Sequence, residues 1–514
     1  VEPQRSARAG STHAGDNTTD AETIALPLAV DLDGTLLLTD TLFEALAEQI
    51  RRRPIWALRQ LIQLPFAIAK VKLRLTKDVR LQIEHLPVNE DVLAYCRRAK
   101  AAGRQVWLVS AADQDVVDRV AARFGLFDRA IGSDGKINNK GENKARLLEK
   151  EAPEGFEYVG DSPADFKVWR KAARSSHVGK GEIRRRSIEK LGVTVAHTFA
   201  RPKAGITAWL KALRLHQWAK NLLIFVPAIL AMRIVEPAIL IKLVLGILLV
   251  GIMASGTYIL NDLLDLQADR AHPSKFKRPF ASGQIKLWQG FVVSPVLILG
   301  GLTGGFFLSP AFATTMLSYL TVTLLYSLRL KRTALADTMA LSFLYTLRLI
   351  MGAVLGGVLL SQWLLVFSMF LFVSLSMAKR HTEVLQRLQA GQTYVSNRGY
   401  RAEDAGLTLA VGIATATAVP LILVLYIIES AWPSGLYSAP EALWATPVII
   451  SVWLMRVWLL ANRSELHDDP VVFAMKDPQS LLAGLAIGLS FLAAATLPSG
   501  FASVLNLDHF FGTH

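Results

Sequence analysis

Two stretches of this sequence gather oxygen donors and cations at spacings that could do chemistry. In LPLAVDLDGT, residues 26–35, Asp31 and Asp33 follow a short apolar run. Further on, Ser110 closes VWLVS, Lys144 lies in GENKARLLEK, and Asp161 and Asp165 follow Tyr158 and Val159 in FEYVGDSPAD. Carboxylates, a hydroxyl and an ammonium in that order suit phosphoryl transfer through an aspartyl phosphate. One carboxylate attacks phosphorus, and a second, two residues on, protonates the leaving alcohol and then activates water. Further acids can hold Mg²⁺, a hard cation that prefers oxygen ligands, while Ser110 and Lys144 bind phosphoryl oxygens.

The other stretch is NDLLDLQADRAHPSKFKRP, Asn261 to Pro279, directly after the apolar run GILLVGIMASGTYIL. At about 100° per residue, Asn261, Asp265, Asp269 and Asp262 fall at roughly 0°, 40°, 80° and 100°, on one face of a continuing helix. Three carboxylates so placed raise one another's pKa unless a cation joins them. Beside a membrane such a cluster is a functional-site hypothesis by default, and an oxygen-only set favours Mg²⁺ over Zn²⁺. Arg270, His272, Lys275, Lys277 and Arg278 follow. Mg²⁺ beside several cations suits a diphosphate; Lys277 reads as ordinary membrane-surface charge.

These groups must be positioned by two different kinds of structure. The chain has 514 residues, 52% hydrophobic, with net charge +14. Residues 1–216 are mixed in charge, whereas 217–500 are dominated by apolar runs. Nine candidate spans stand near 217–235, 238–260, 289–308, 311–328, 334–358, 362–378, 405–428, 441–461 and 480–499, most close to the roughly 20 residues a bilayer needs. In the second half, the loops after spans two, four, six and eight hold most of the Lys and Arg, which places them and the N-terminal half in the cytoplasm and the C-terminus outside. No nucleic-acid partner is expected. A single cysteine, Cys96, fits a reducing compartment. No apolar signal segment follows the first basic residues, and the polar residues 1–25 are expected to be disordered.

In the first half, the apolar runs ending at Asp31, Ser110 and Asp161 read as parallel strands whose ends carry the site. Residues 40–100 read as helical. Within them RRRPIWALRQLIQLPFAIAKVKLR is basic and amphipathic, and either lies on a membrane surface or packs on its own core. Residues 181–216 read as a basic linker and an interfacial helix, with Trp209, Leu210, Leu213 and Trp218 on its apolar side. Residues 501–514 form a short tail.

DLDGT, Ser110, Lys144 and GDSPAD together resemble the four motifs of the haloacid dehalogenase (HAD) phosphohydrolase superfamily, over residues 26–180. The resemblance implies a Rossmann-like α/β domain with a helical cap at about 40–100. It also implies Asp31 as nucleophile, Asp33 as general acid and base, Mg²⁺ held by Asp31, Asp161 and the Asp33 carbonyl, and Asp165 as a supporting acid.

The NDxxDxxxD pattern on an all-α polytopic chain resembles the UbiA superfamily of intramembrane prenyltransferases, over about 205–500. That family's motif binds Mg²⁺ and a substrate diphosphate. Its aromatic prenyltransferases carry a second Asp-rich motif after span six, where this chain has SMAKRHTEV, with Lys379, Arg380 and Glu383. The loop after span four is YSLRLKRTALAD, with Tyr326, Lys331 and Asp337. One acidic motif facing basic residues fits two phosphate-bearing substrates. Together with LRLHQWAKN, which holds Lys220 and Asn221, this resembles the polyprenyl-phosphate phosphoribosyltransferase branch. The branch implies phosphoribosyl diphosphate as donor and a long-chain polyprenyl phosphate as acceptor in a bacterial-type inner membrane. Lys220, Asn221, Arg270, His272, Lys275, Arg278, Tyr326, Lys331, Lys379, Arg380 and Glu383 are then the candidates for meeting substrate. An aromatic prenyltransferase fused to an unrelated phosphatase is the alternative. The sequence specifies no oligomeric state.

Overall fold

The computed structural model describes residues 26–498, apart from 64–73, 77–78, 80, 135–137, 180, 203, 392–398 and 467–469. The expected tails at 1–25 and 501–514, and part of the basic segment 51–74, lie outside the described residues. The chain divides into two compact units. One is Val1–Ala212 with Asp262–Phe291, and the other Leu213–Asn261 with Val292–His514.

In the first unit the short apolar runs form a six-stranded parallel sheet. Its strands are β1 (Leu28–Val30), β2 (Val106–Asp113), β3 (Arg129–Ser133), β4 (Glu157–Gly160), β5 (Arg174–Val178) and β6 (Val195–Phe199), in the order β3-β2-β1-β4-β5-β6. Parallel strands need helical crossovers, which cover both faces and explain runs apolar on both sides. Accordingly Leu28, Ala29 and Val30 are fully buried, with apolar clusters on either face. Strand order reverses between β1 and β4, the switch point at which open α/β sheets leave a crevice past their strand ends. Val30 pairs with Val159 there, so the chain leaves both strands at one level, and Asp31 N–H donates to the Val159 carbonyl at 3.0 Å. Strand β2 continues past Ser110 to Asp113, three residues further than the apolar run alone predicts.

The predicted cap opens with a helix, Thr41–Arg52, whose first turn is capped by the Asp40 carboxylate accepting from Leu42 N–H at 2.9 Å. Its apolar residues Leu42, Phe43, Leu46 and Ile50 cluster with Trp56, Leu75 and Phe291, so Trp56 of the basic segment packs against a core while Ile55 beside it is exposed. The segment Asp262–Phe291 therefore contributes to this unit's packing as well as to its acid groups. Gly283 (φ +74°) lets the segment press on Leu38, since a Cβ there would meet Leu38 Cβ at 2.7 Å.

Eight helices among the described residues are long and apolar enough to cross a membrane: Pro237–Leu264, Leu287–Leu308, Pro310–Leu328, Ala336–Gly356, Gln362–Gln389, Ala402–Ala431, Pro440–Asn462 and Pro478–Thr496. The ninth expected span, near 217–235, is broken. It is a 3₁₀ helix over Leu215–Phe225, a single α turn over Val226–Leu230 and another 3₁₀ turn at Arg233–Val235. Left-handed backbone at Arg214 (φ 52°) and Met232 (φ 57°) bounds it. The same turn at Arg214 stops the predicted interfacial helix at Leu213. The two largest apolar clusters described in the second unit form around Met253, Phe312 and Met351 and around Phe372, Leu454 and Trp458. Ala336–Gly356 is the most enclosed span, while Leu287–Leu308 and Pro478–Thr496 leave most of their apolar residues exposed, as lipid-facing helices do.

Candidate active sites

The first site lies past the ends of β1, β2 and β4. Asp31, Asp33, Ser110, Lys144, Asp161 and Asp165 line one cavity of about 280 Å³. Strand topology brings them together from distant parts of the chain: Lys144 Nζ donates to Asp31 Oδ1 at 2.8 Å across 113 residues. Lys144 also donates to the Tyr158 hydroxyl at 2.9 Å, which donates to Asp165 Oδ1 at 2.8 Å. Asp165 Oδ2 accepts from Ser162 N–H and Oγ at 2.9 and 2.8 Å. Ser110 Oγ accepts from Ala112 N–H at 3.1 Å. A chain of hydrogen bonds thus links Asp31, Lys144, Tyr158, Asp165 and Ser162.

Oxygens of Asp31, Asp161 and Asp165 all lie within 4.8 Å of one another, an oxygen-only donor set that fits a hard divalent cation such as Mg²⁺. This places Asp165 beside Asp31 and Asp161, where the sequence reading gave it only a supporting role. The Asp33 carboxylate turns elsewhere, accepting from Thr41 N–H at 2.9 Å and Thr41 Oγ at 3.1 Å. Gly34 is required between them: its φ is +80°, and a Cβ would stand 2.5 Å from Asp161 Oδ2.

Electrostatics separates the two neighbouring aspartates. Burial pushes Asp31 up to about 7, against the pull of Lys144 and with Asp165 and Asp161 adding to the rise. Burial, reinforced by Asp40, holds the Asp33 carboxyl well above the usual carboxylate range. Burial alone would lower Lys144, but Asp31 and Asp165 outweigh it and raise it. The lysine favours the ionised form of Asp31, while burial favours the protonated form of Asp33, the form a proton donor needs.

Sequence reasoning missed three members. Tyr158 joins Lys144 to Asp165 and betrays itself only as a phenol inside a buried strand. Arg201, past the end of β6, donates to Asp161 Oδ2 at 3.1 Å and to the Leu38 carbonyl at 3.0 Å. Lys286 Nζ lies 3.5 Å from Asp161 Oδ2. Nothing local in the sequence marks either cation, because only the fold brings them to the sheet.

The second set of acids is built locally. The Pro237–Leu264 helix ends one residue before Asp265, whose φ and ψ of −99° and 10° break it before a short helix at Leu266–Arg270. The four groups therefore do not lie on one uninterrupted helix face, as uniform helical turning predicts. Nor do Asp262, Asp265 and Asp269 form a group as tight as that of the first site among the described residues. Instead Arg278 Nη1 donates to Asp262 Oδ1 at 3.2 Å and to Asp269 Oδ2 at 2.6 Å. Both buried carboxylates thus converge on one cationic point, a donor set that a divalent ion also fits. Burial raises the Asp269 pKa, with Arg278 opposing.

Of the other cations of this stretch, Lys275 is exposed and near enough to act on Asp269, and His272 Nδ1 accepts from Ser274 N–H at 3.2 Å. Arg270 is placed differently from its expected phosphate-binding role. It is buried, donating to Glu44 Oε2 at 2.8 Å, to Glu44 Oε1 at 2.6 Å and to the Ala281 carbonyl at 3.0 Å.

Two polar networks occupy the second unit. In one, buried Arg348 donates to Asn221 Oδ1 at 3.1 Å, to the Tyr319 hydroxyl at 2.8 Å and to the Leu344 carbonyl at 2.8 Å. Lys220 Nζ lies 5.6 Å from the Tyr345 ring centroid, and Arg348 5.4 Å from the same ring. Arg348 is a residue the sequence reading passed over, although an arginine within an apolar span, SFLYTLRLIMG, is itself a signal. In the other, Arg380 Nε donates to Asp337 Oδ2 at 2.6 Å, and its Nη1 bonds Glu383; Tyr400 donates to Asp337 Oδ1 at 2.9 Å. Tyr326 acts electrostatically on Arg380. Tyr326, Lys331 and Lys379 are half-buried.

Residues 222–476 match the UbiA prenyltransferase family, and residues 28–170 match haloacid dehalogenase-like hydrolases. A protein of Sinorhizobium fredii, y4nM, is 40% identical over 469 residues, 91% of each chain. The chain belongs to the UbiA prenyltransferase family. It carries a HAD-like hydrolase domain N-terminal to the UbiA domain, and it is a multi-pass membrane enzyme. Decaprenyl-phosphate phosphoribosyltransferase of Mycobacterium tuberculosis is 33% identical over 188 residues, 36% of this chain and 62% of that protein. Among solved structures, a UbiA homolog from Archaeoglobus fulgidus bound to GPP and Mg²⁺ is 16% identical and covers 56% of this chain and all of the other, with a TM-score of 0.44. Within this UbiA-family chain, NDLLDLQADRAHPSKFKRP lies inside the family match, as do Lys331, Arg348, Lys379 and Arg380.

Proposed function

We propose that the UbiA-family half transfers 5-phosphoribosyl from phosphoribosyl diphosphate to a polyprenyl phosphate, and that the HAD-like centre hydrolyses a phosphomonoester, the 5-phosphate of that product. The observation that carries the first reading is the mixture of charges. Asp262 and Asp269 converge on one point, whereas the stretch after span six, where aromatic prenyltransferases carry a second acidic motif, holds Lys379 and Arg380 with the single acid Glu383. The phosphoribosyltransferase likeness over 188 residues points the same way.

Asn261, Asp262, Asp265 and Asp269 would hold Mg²⁺, which when bound neutralises the donor's diphosphate and makes it a better leaving group. Lys220, Lys379 and Arg380 are assigned to phosphate oxygens and Tyr326 to the sugar. An oxygen of the acceptor phosphate attacks the anomeric carbon; the bond from that carbon to the diphosphate breaks, and the diphosphate leaves with the bonding electrons. The acceptor's apolar chain needs only lipid-facing helices.

In the HAD-like centre Asp31, Asp161 and Asp165 would hold a second Mg²⁺, which when bound offsets the phosphate's charge. Asp31 attacks phosphorus, the ester P–O bond breaks, and protonated Asp33 gives its proton to the departing alcohol. The Asp33 carboxylate then takes a proton from the water that cleaves the aspartyl phosphate, freeing phosphate. Ser110 and Lys144 hold the phosphoryl oxygens. Both centres are assigned to the cytoplasmic face of a bacterial inner membrane by the basic loops.

The test is to supply purified protein with phosphoribosyl diphosphate and polyprenyl phosphate and to weigh the lipid product. Wild type should yield the dephosphorylated polyprenyl-phosphate ribose and Asp31→Asn the 5-phosphorylated form. A 5-phosphate that persists as fully in wild type as in Asp31→Asn defeats the coupled reading. Transfer of a prenyl group from prenyl diphosphate to hydroxybenzoate instead would favour the aromatic prenyltransferase.

A further inference from the structure

A HAD-like centre needs walls that choose its substrate, and here part of the wall comes from an unexpected stretch. Lys286, Leu287 and Trp288 line the same cavity as Asp31 and Asp33, although they lie in the UbiA family match. They belong to the segment Asp262–Phe291, which packs within the same compact unit as the sheet. Three contacts of different kinds hold that segment in place. Buried Arg270 makes a two-pronged ion pair with Glu44 of the Thr41–Arg52 helix. Gly283 lies against Leu38 with no room for a side chain. The Phe43 and Phe291 rings stack with centroids 5.9 Å apart.

The chemistry of this wall is graded. Lys286 sits nearest the acids, 3.5 Å from Asp161, with its side chain 45% exposed. The next two residues, Leu287 and Trp288, are the first two of the Leu287–Leu308 helix, one of the membrane-length spans. The cavity's rim thus includes the first turn of a helix long and apolar enough to cross a bilayer. A half-exposed tryptophan at that position is the residue type that settles among lipid headgroups. A soluble sugar phosphate has no use for such a rim, whereas a phosphomonoester on a lipid headgroup presents its charge inward and its apolar anchor outward.

We infer that Lys286, Leu287 and Trp288 are specificity-determining residues of the HAD-like centre, which takes a phosphomonoester anchored in the membrane. Lys286 contacts the phosphate-bearing headgroup on the side facing the bilayer, and Trp288 holds the headgroup at the interface. This rests on the reading of Asp31 as nucleophile given above, and deepens it: the substrate class is set by a wall lent from the UbiA-family half.

The full chain in liposomes is assayed for phosphate release from two synthetic esters with one reacting group, ribose 5-phosphate in solution and prenyl-phospho-ribose 5-phosphate in the bilayer. Wild type should prefer the anchored ester in kcat/KM. Lys286→Met should lower the ratio of anchored to soluble kcat/KM at least tenfold, Trp288→Ala at least threefold, and Lys286→Arg should restore most of it. Ratios within twofold of wild type in both Lys286→Met and Trp288→Ala, or a wild-type preference for the soluble ester, overturn the inference. Asp31→Asn separates the two failures, because hydrolysis surviving in that variant defeats the nucleophile assignment and leaves the ratios to judge the wall.

Discussion

In the HAD-like centre, Lys144 of the Glu142–Glu151 helix reaches Asp31, just past the end of β1, across 113 residues. In the membrane-proximal stretch, Asp262 and Asp269 stand seven residues apart on a broken helix and are joined by Arg278 from the same loop. The first arrangement is rigid. Its members are fixed by strand ends, a buried phenol and a positive-φ glycine, and three acids already converge. In the second, the Arg278 guanidinium bridges two of the acids, sharing their charge, and can yield to a cation and its diphosphate. A centre assembled by a sheet is complete in the resting chain, whereas one assembled by a loop is finished by what it binds.

That contrast can be broken experimentally. Its sharpest form is independence of the two chemistries. Asp31→Asn should cut phosphate release by roughly 10⁶-fold, the scale of losing a nucleophile, while transfer of radiolabelled phosphoribosyl stays within a few fold. Asp262→Asn should do the reverse, lowering transfer about 100-fold or more, beyond the 10- to 100-fold typical of an outer-shell metal partner, with hydrolysis of an added ester nearly untouched. Loss of both activities in either variant would mean that the centres are not separately built.

Between these lies the Arg270–Glu44 pair. Glu44→Ala leaves a buried guanidinium without its counter-charge, which costs about 3–5 kcal/mol. Thermal unfolding should begin several degrees lower, and a Glu44→Met/Arg270→Met double variant should recover most of the loss. If the single variant melts like wild type, the segment Asp262–Phe291 is not clamped by this pair. The smallest effect is expected at Lys277, which is exposed and rests beside Phe276. Lys277→Ala should leave both rates within about twofold, as surface substitutions do. A larger drop in transfer would make it a substrate ligand after all.

Legibility followed the range of each interaction. The acids and Ser110 of the HAD-like centre could be read because they stand at or just past the end of an apolar run, and Lys144 because it precedes the third of these runs. Arg201 and Lys286 could not, since their only distinction is to arrive beside Asp161 from elsewhere in the chain. The membrane motif shows the opposite error. Its residues were legible from spacing, but the helical geometry assumed for them fails at Asp265, where the backbone turns out of the helix. Arg270 was misplaced for the same reason that Lys286 was missed: a charged side chain carries no mark of its partner, and Glu44 lies 226 residues away. Arg348 was legible and passed over.

The sequence by itself determined the two kinds of structure, the membrane-length helices, the strand-end acids and the diphosphate motif. Each of these is written in local periodicity and residue type, which hydrophobic burial and backbone geometry read directly. Only the tertiary structure decided which charges meet: Asp165 with Asp31, Arg270 with Glu44, Arg348 with Asn221, and Lys286 with the HAD-like cavity. The physical reason is that an ion pair forms wherever folding brings opposite charges together in a buried place, and the pairing depends on the path of the whole chain.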